Sequence, residues 1–95
     1  MPKGYVIAQP VVTNPEQWAQ YSAKTKAALD KFGGKPIVRG GKCETIEGHG
    51  VARNVVLEFP DYESALGYAR SAEYAAAKEL RIGAGTMNMV VVEGV

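Results

Sequence analysis

Arg39 and Glu58 are the two charges in this chain best placed to do chemistry. Each lies in a stretch that reads as β-strand. Arg39 stands before Gly40-Gly41, and Glu58 lies in Arg53-Asn54-Val55-Val56-Leu57-Glu58-Phe59-Pro60. A strand carries a charge or a glycine pair at an edge, a bulge, a pocket or an interface. Arginine grips a carboxylate through two parallel hydrogen bonds. A desolvated glutamate gains basicity and can serve as a general base, whereas pairing to arginine holds its proton affinity low. Alternation puts Val55, Leu57 and Phe59 on one face and Asn54, Val56 and Glu58 on the other. The all-apolar set should meet helices, so Glu58 should point to a bare sheet face. Simple pairing sets Gly40 opposite Glu58, and a bulge at Gly40-Gly41 moves Arg39 to the Glu58 side. The expectation is a buried Arg39–Glu58 contact, read either as part of a ligand pocket or as a structural ion pair at a dimer interface.

His49 is the single histidine, the one side-chain type that changes charge near neutral pH without help. It joins Glu58 as a catalytic candidate, but it lies in Gly48-His49-Gly50, where an exposed turn is the better reading. Cys43 is alone and has no basic neighbour in sequence, so it reads as a small hydrophobe rather than a nucleophile. Too few ligands gather for a metal, and no cofactor is expected. Gly83-Ala84-Gly85 lacks the lysine and hydroxyl residue that complete a phosphate loop. Tyr5, Trp18, Tyr21, Tyr62, Tyr68 and Tyr74 each join an apolar body to a polar tip, a combination that suits pocket walls. Trp18 and Tyr21 read as core. The expected ligand-binding set is Tyr5, Arg39, Asn54, Glu58 and Tyr74, with Arg53 and Arg81 adding positive charge near the mouth.

These residues need elements to hold them. Residues 4–12 read as a strand, rich in aromatic and β-branched types. Asn14 caps a helix over 15–32, with Pro15 in its first position and Glu16 beside the positive helix end. Trp18, Tyr21, Thr25, Ala28, Leu29 and Phe32 recur at helical spacing, and Gly33-Gly34 stops the helix. Residues 35–47 read as a second strand, Gly48-His49-Gly50 as its turn, and 52–59 as a third strand ended by Pro60. Asp61 caps a helix in two pieces, with Ser71 capping the second. Residues 86–93 make the last strand. The order β-α-β-β-α-β is the ferredoxin-like, α+β plan: a four-stranded antiparallel sheet, ordered 4-1-3-2, with helices on one face. The other face presents Val56, Val90 and Val92, which suggests a partner.

The 95 residues fit one domain, 1–95. Eleven basic residues against ten acidic ones leave a net charge of +1, scattered along the chain. That balance argues against a nucleic-acid partner. No apolar run suits a signal core or a membrane span. A lone cysteine gains nothing from an oxidising compartment, so the cytoplasm is the expected location.

Gly4-Tyr5, Asn14-Pro15, Tyr21, Phe32-Gly33-Gly34, Arg39-Gly40-Gly41, Glu47-Gly48, Arg53-Asn54-Val55-Val56, Glu58-Phe59-Pro60, Ala65, Ser71, Tyr74 and Val92-Glu93-Gly94 together resemble the bacterial "domain of unknown function 1330" family, within the dimeric α/β-barrel superfamily. The resemblance covers nearly the whole chain. It implies the ferredoxin-like fold and a homodimer, and no particular activity. Superfamily relatives include cofactor-free oxygenases, haem-degrading enzymes, small isomerases, dehalogenases and ligand binders, and fold does not choose among them. The leading expectation is a homodimer that binds a small, partly apolar or anionic molecule. The alternatives are a cofactor-independent oxygenase or isomerase acting on an aromatic or enolisable compound, and a pocketless interaction module.

Overall fold

Strand β1, Gly4–Val12, pairs antiparallel with two neighbours and forms the middle of the sheet. The computed structural model describes residues 2–95. Helix α1 spans Pro15–Phe32. The Asn14 side chain accepts a hydrogen bond from the Gln17 backbone N–H at 3.2 Å, as the cap reading requires. Gly33 closes the helix in the left-handed region at φ 73°, a conformation that suits glycine. Strand β2 covers Lys35–Arg39 and β3 covers Val55–Phe59. Helix α2, Tyr62–Arg70, and helix α3, Ala72–Glu79, are separate pieces, with Ser71 Oγ accepting from the Tyr74 N–H at 3.0 Å. Strand β4 is Gly85–Glu93.

The sheet order is β2-β3-β1-β4, which is the expected 4-1-3-2 order read from the other edge. Neighbouring strands are antiparallel throughout. Alternation along β1 buries Val6, Ala8 and Pro10 under the helices and turns Tyr5, Ile7, Gln9 and Val11 to the other side. On β3 the helix-side residues are Val55, Leu57 and Phe59, as expected. The core is one cluster on that side, built around Val6, Phe59, Tyr68 and Ala77. Helix α2 packs closely on β1, β3 and β4. Helix α1 instead takes its main contacts from α2 and α3 and stands off the sheet.

Two boundaries differ from the sequence reading. Strand β2 ends at Arg39 rather than 47, and β3 begins at Val55 rather than 52. Residues 40–54 carry no regular secondary structure, and residues 40–50 are all exposed. Gly48-His49-Gly50 is therefore part of a long connection and not a hairpin turn. The Thr45-Ile46 pair has strand-forming residue types but no neighbouring strand to bond, and an unpaired strand is not stable by itself.

The register of β2 on β3 also differs from the sequence reading. Pro36 lies opposite Leu57, and Val38 lies opposite Val56, so Ile37 is the extra residue of a β-bulge. The bulge is at Ile37, not at Gly40-Gly41. One extra residue reverses which side every later residue faces. Lys35 thus lies opposite Glu58, and Arg39 lies opposite Val55 on the helix side.

Candidate functional site

The gap left where α1 stands off the sheet is a cavity of about 350 Å³. Its wall from the sheet is apolar: Ala8, Pro36, Val55, Leu57, Met87 and Met89. Helix α1 contributes Trp18, Tyr21, Ser22, Thr25 and Leu29, and α2 contributes Tyr68. All of these α1 residues except the exposed Ser22 belong to the stripe that marked the helix in the sequence. Their spacing aims them at the sheet, but the distance between helix and sheet leaves them lining space. Arg39 and Arg53, both exposed, line the same cavity at its solvent side. A shallower depression continues past Trp18, Ser22 and Arg53 toward Val12 and Pro15.

The inner end carries hydroxyl groups held in place. The Tyr21 and Tyr74 hydroxyls share a hydrogen bond at 2.9 Å, and the Thr25 hydroxyl donates to the Ser22 carbonyl at 2.8 Å. Burial pushes the Tyr21 hydroxyl pKa well above its ordinary value, and the Tyr74 hydrogen bond adds to this. Burial also raises Tyr68. Both phenols therefore stay protonated and act as neutral hydrogen-bonding groups. The Arg81 guanidinium lies over the rings of Trp18 and Tyr21, 5.4 and 5.1 Å from their centroids. Its Nε is buried without a hydrogen-bond partner among the described residues. The electron-rich ring faces supply its favourable contact instead.

The expected ligand-binding residues divide among three places. Arg39 lines the helix-side cavity. Tyr74 is buried in the α3 core behind Tyr21, outside the cavity wall. Tyr5, Asn54 and Glu58 belong to the opposite side of the sheet. There Tyr5 lies opposite Glu58, and the Asn54 side-chain oxygen accepts from Gln9 Nε2 at 3.0 Å. The expected Arg39–Glu58 contact does not form, because the Ile37 bulge separates them to opposite faces. Glu58 instead meets Lys3 at 3.2 Å and Lys35 at 3.5 Å, and Arg39 is exposed rather than buried. His49 is exposed in the 40–54 connection and lines no part of the cavity. Arg53 was visible in the sequence as a charge near the mouth. Tyr68 was visible only as one of several aromatics suited to a pocket wall, and Thr25 only as part of the α1 stripe, because nothing in a helical stripe reports a gap beneath it.

The hydrogen bond from Lys3, and the charges of Lys3 and Lys35, hold the Glu58 carboxyl below the ordinary glutamate range. A carboxylate whose proton affinity is depressed by folding stabilises the fold at neutral pH, and that contribution is lost as pH falls through its folded value. NMR titration of Glu58 is expected to place it below free glutamate, and Glu58→Gln is expected to flatten the part of the acid-unfolding profile that this group contributes. A Glu58 titrating above free glutamate would contradict the assignment and restore it as a base.

Among the described residues no three histidine, cysteine or acidic side chains gather as a metal site. No described helix is long and apolar enough to cross a membrane. The open face of the sheet carries Ile7, Val11, Val38, Val90 and Val92, all exposed in the single chain.

Four antiparallel strands with helices on one face define a ferredoxin-like fold. Solved structures agree on the fold. A protein of unknown function from Rhodopseudomonas palustris matches with a TM-score of 0.76 at 14% identity, over 99% of this chain and 83% of that one. A dimeric ferredoxin-like protein of unknown function from Thermobifida fusca matches at 0.54 and 14% identity, over 97% and 91%. SnoaB, a cofactor-independent oxygenase from Streptomyces nogalater, matches at 0.61 and 10% identity, over 97% and 92%. No curated protein matches. The chain belongs to the family described as "Domain of unknown function (DUF1330)", whose family model matches residues 3–95.

Proposed function

We propose that this protein is a homodimer that binds a small, partly apolar molecule in the cavity between α1 and the sheet. The observation that carries the reading is the cavity itself: about 350 Å³, with apolar walls, two arginines at the mouth and fixed hydroxyls within. That volume and mixture suit a small-molecule site. A pocketless interaction module would have no need of it. Dimerisation through the open face covers Ile7, Val38 and Val90 and leaves the cavity on the outer side of each sheet. The dimeric Thermobifida fusca neighbour supports that arrangement at the level of fold. The exposed thiol of Cys43 suits a reducing, cytoplasmic setting. The scattered +1 charge favours neither a nucleic-acid nor a membrane partner.

An enzyme of the cofactor-independent kind is the rival reading, since SnoaB shares the fold. Among the described residues the cavity wall holds no carboxylate and no histidine, and its phenols are held protonated. Proton abstraction needs a group able to accept the proton within reach of the substrate. Binding needs only shape and a few polar anchors, which the cavity has.

Trp18 is the sole tryptophan and lines the cavity, so its indole N–H resonance reports occupancy. Titration with hydrocinnamate and with its neutral amide is expected to shift that resonance saturably with at least one of the two. Ser22→Phe, a change at an exposed helix position on the cavity rim, is expected to weaken the response. A Trp18 signal unmoved by either compound would remove the binding reading.

A further inference from the structure

Resting on the cavity reading above, we propose that the ligand is a carboxylic acid in its ionised form, with its carboxylate held between Arg39 and Arg53 and its apolar body directed inward. Three observations converge on this. The Ile37 bulge turns Arg39 to the helix side, opposite Val55, where regular alternation from Lys35 would have kept it with Glu58 on the other face. Arg53 is brought to the same rim. The Gly40 N–H donates to the Asn54 carbonyl at 2.9 Å, and the Arg53 stem crosses Gly40 so closely that a Cβ there would lie 3.3 Å from Arg53 Cγ. Gly40 adopts φ 65°, so glycine serves both the backbone turn and the close passage of the stem. Two guanidinium groups are thereby held at one rim by different segments of chain.

The third observation is charge balance. The ion pairs within the chain employ Lys3, Lys26, Lys31 and Lys35. Among the described residues neither Arg39 nor Arg53 has a carboxylate partner. Two like charges at one rim repel, and an anion between them converts that repulsion into two attractions. Guanidinium is planar and matches a carboxylate with paired donors, which a lysine ammonium does not. The space behind the arginines is lined by Leu29, Pro36, Leu57, Met87 and Met89, with no further cation among the described residues. A ligand that is ionic throughout would leave its inner charge unmatched there, at a high desolvation cost. The site therefore fits one anionic end and one apolar end.

The test compares hydrocinnamate with its amide, which share a shape and differ in charge, using the Trp18 indole resonance. Hydrocinnamate is expected to bind at least about tenfold more tightly, as charge-assisted hydrogen bonds exceed neutral ones. Added salt is expected to erode that preference. Arg39→Gln and Arg53→Gln, both at exposed positions, are each expected to remove most of it. Lys42→Gln, a cation outside the cavity, is expected to leave it intact. Equal affinity for the two compounds, or a preference that survives both arginine substitutions, overturns the carboxylate assignment while leaving the cavity as a binding site. Inorganic phosphate competing as well as hydrocinnamate also overturns it, by assigning the arginines to phosphate. Failure of both compounds to move Trp18 removes the carboxylate assignment together with the cavity reading.

Discussion

Phe59→Ala is expected to lower the free energy of unfolding by about 3–5 kcal/mol, the range for truncating a fully buried aromatic ring. Phe59 is 1% exposed and faces the helices from β3. Its ring packs against Tyr68, with centroids 5.2 Å apart, and against the Gly34 backbone, where there is no room for a Cβ. The helix α1 C-terminus, β3 and α2 all meet at this ring. Surrounding atoms cannot close the space, because Gly34 is set by the end of α1 and Tyr68 by the α2 packing. A domain of this size has roughly 5–15 kcal/mol of stability in total, so the loss is a large share. The corresponding fall in Tm is on the order of 15–30 °C. Chemical denaturation of parent and variant at one fixed protein concentration measures it, since dimerisation would make both values concentration-dependent. A loss below about 1 kcal/mol would show that the ring is not the junction described here.

The second large effect concerns assembly. Light scattering of the parent at micromolar concentration is expected to report about twice the 10.2 kDa chain mass. Ile7→Lys is expected to return the monomer mass. Ile7 is central on β1 and 37% exposed in the single chain, so the substitution leaves the chain's own core untouched. In a face-to-face dimer the same position becomes desolvated, and an unpaired ammonium there is strongly unfavourable. Such an interface should bury more than roughly 1,000 Å² in total. A monomeric parent ends the dimer reading, and an Ile7→Lys protein with the parent's mass moves the interface elsewhere.

Most of the fold was legible because its punctuation is local. Asn14-Pro15 starts α1, Gly33-Gly34 ends it, and Ser71 divides α2 from α3, each by a hydrogen bond or dihedral that a short sequence specifies. Alternation on β3 separated Val55, Leu57 and Phe59 from Val56 and Glu58 correctly, because the two faces differ in polarity. The extent of β2 was not legible. Residues after Arg39 contain strand-forming types, but pairing is a property of the partner strand, which stops at Val55. The bulge was also hidden. Ile37 is an ordinary strand residue between Pro36 and Val38, whereas the glycine pair that looked like a bulge lies beyond the strand end. That one-residue difference decided where Arg39 went. The cavity was hidden for another reason. Trp18, Tyr21 and Thr25 have the same spacing whether a helix lies on a sheet or stands off it.

The Ile37 bulge makes β2 a parity element with two settings. Loss of that single codon would leave Arg39 opposite Val55, whereas pairing Ile37 in line with its neighbours would extend regular alternation from Lys35 and turn Arg39 to the side of Lys35 and Glu58, onto the open face. The cavity would lose a cation and the opposite surface would gain one in the same event. Charge at the cavity and charge on the open face are thus linked through the pairing register of a five-residue strand, and a relative that lacks the extra residue but keeps the flanking pairs should hold its cation at the cavity.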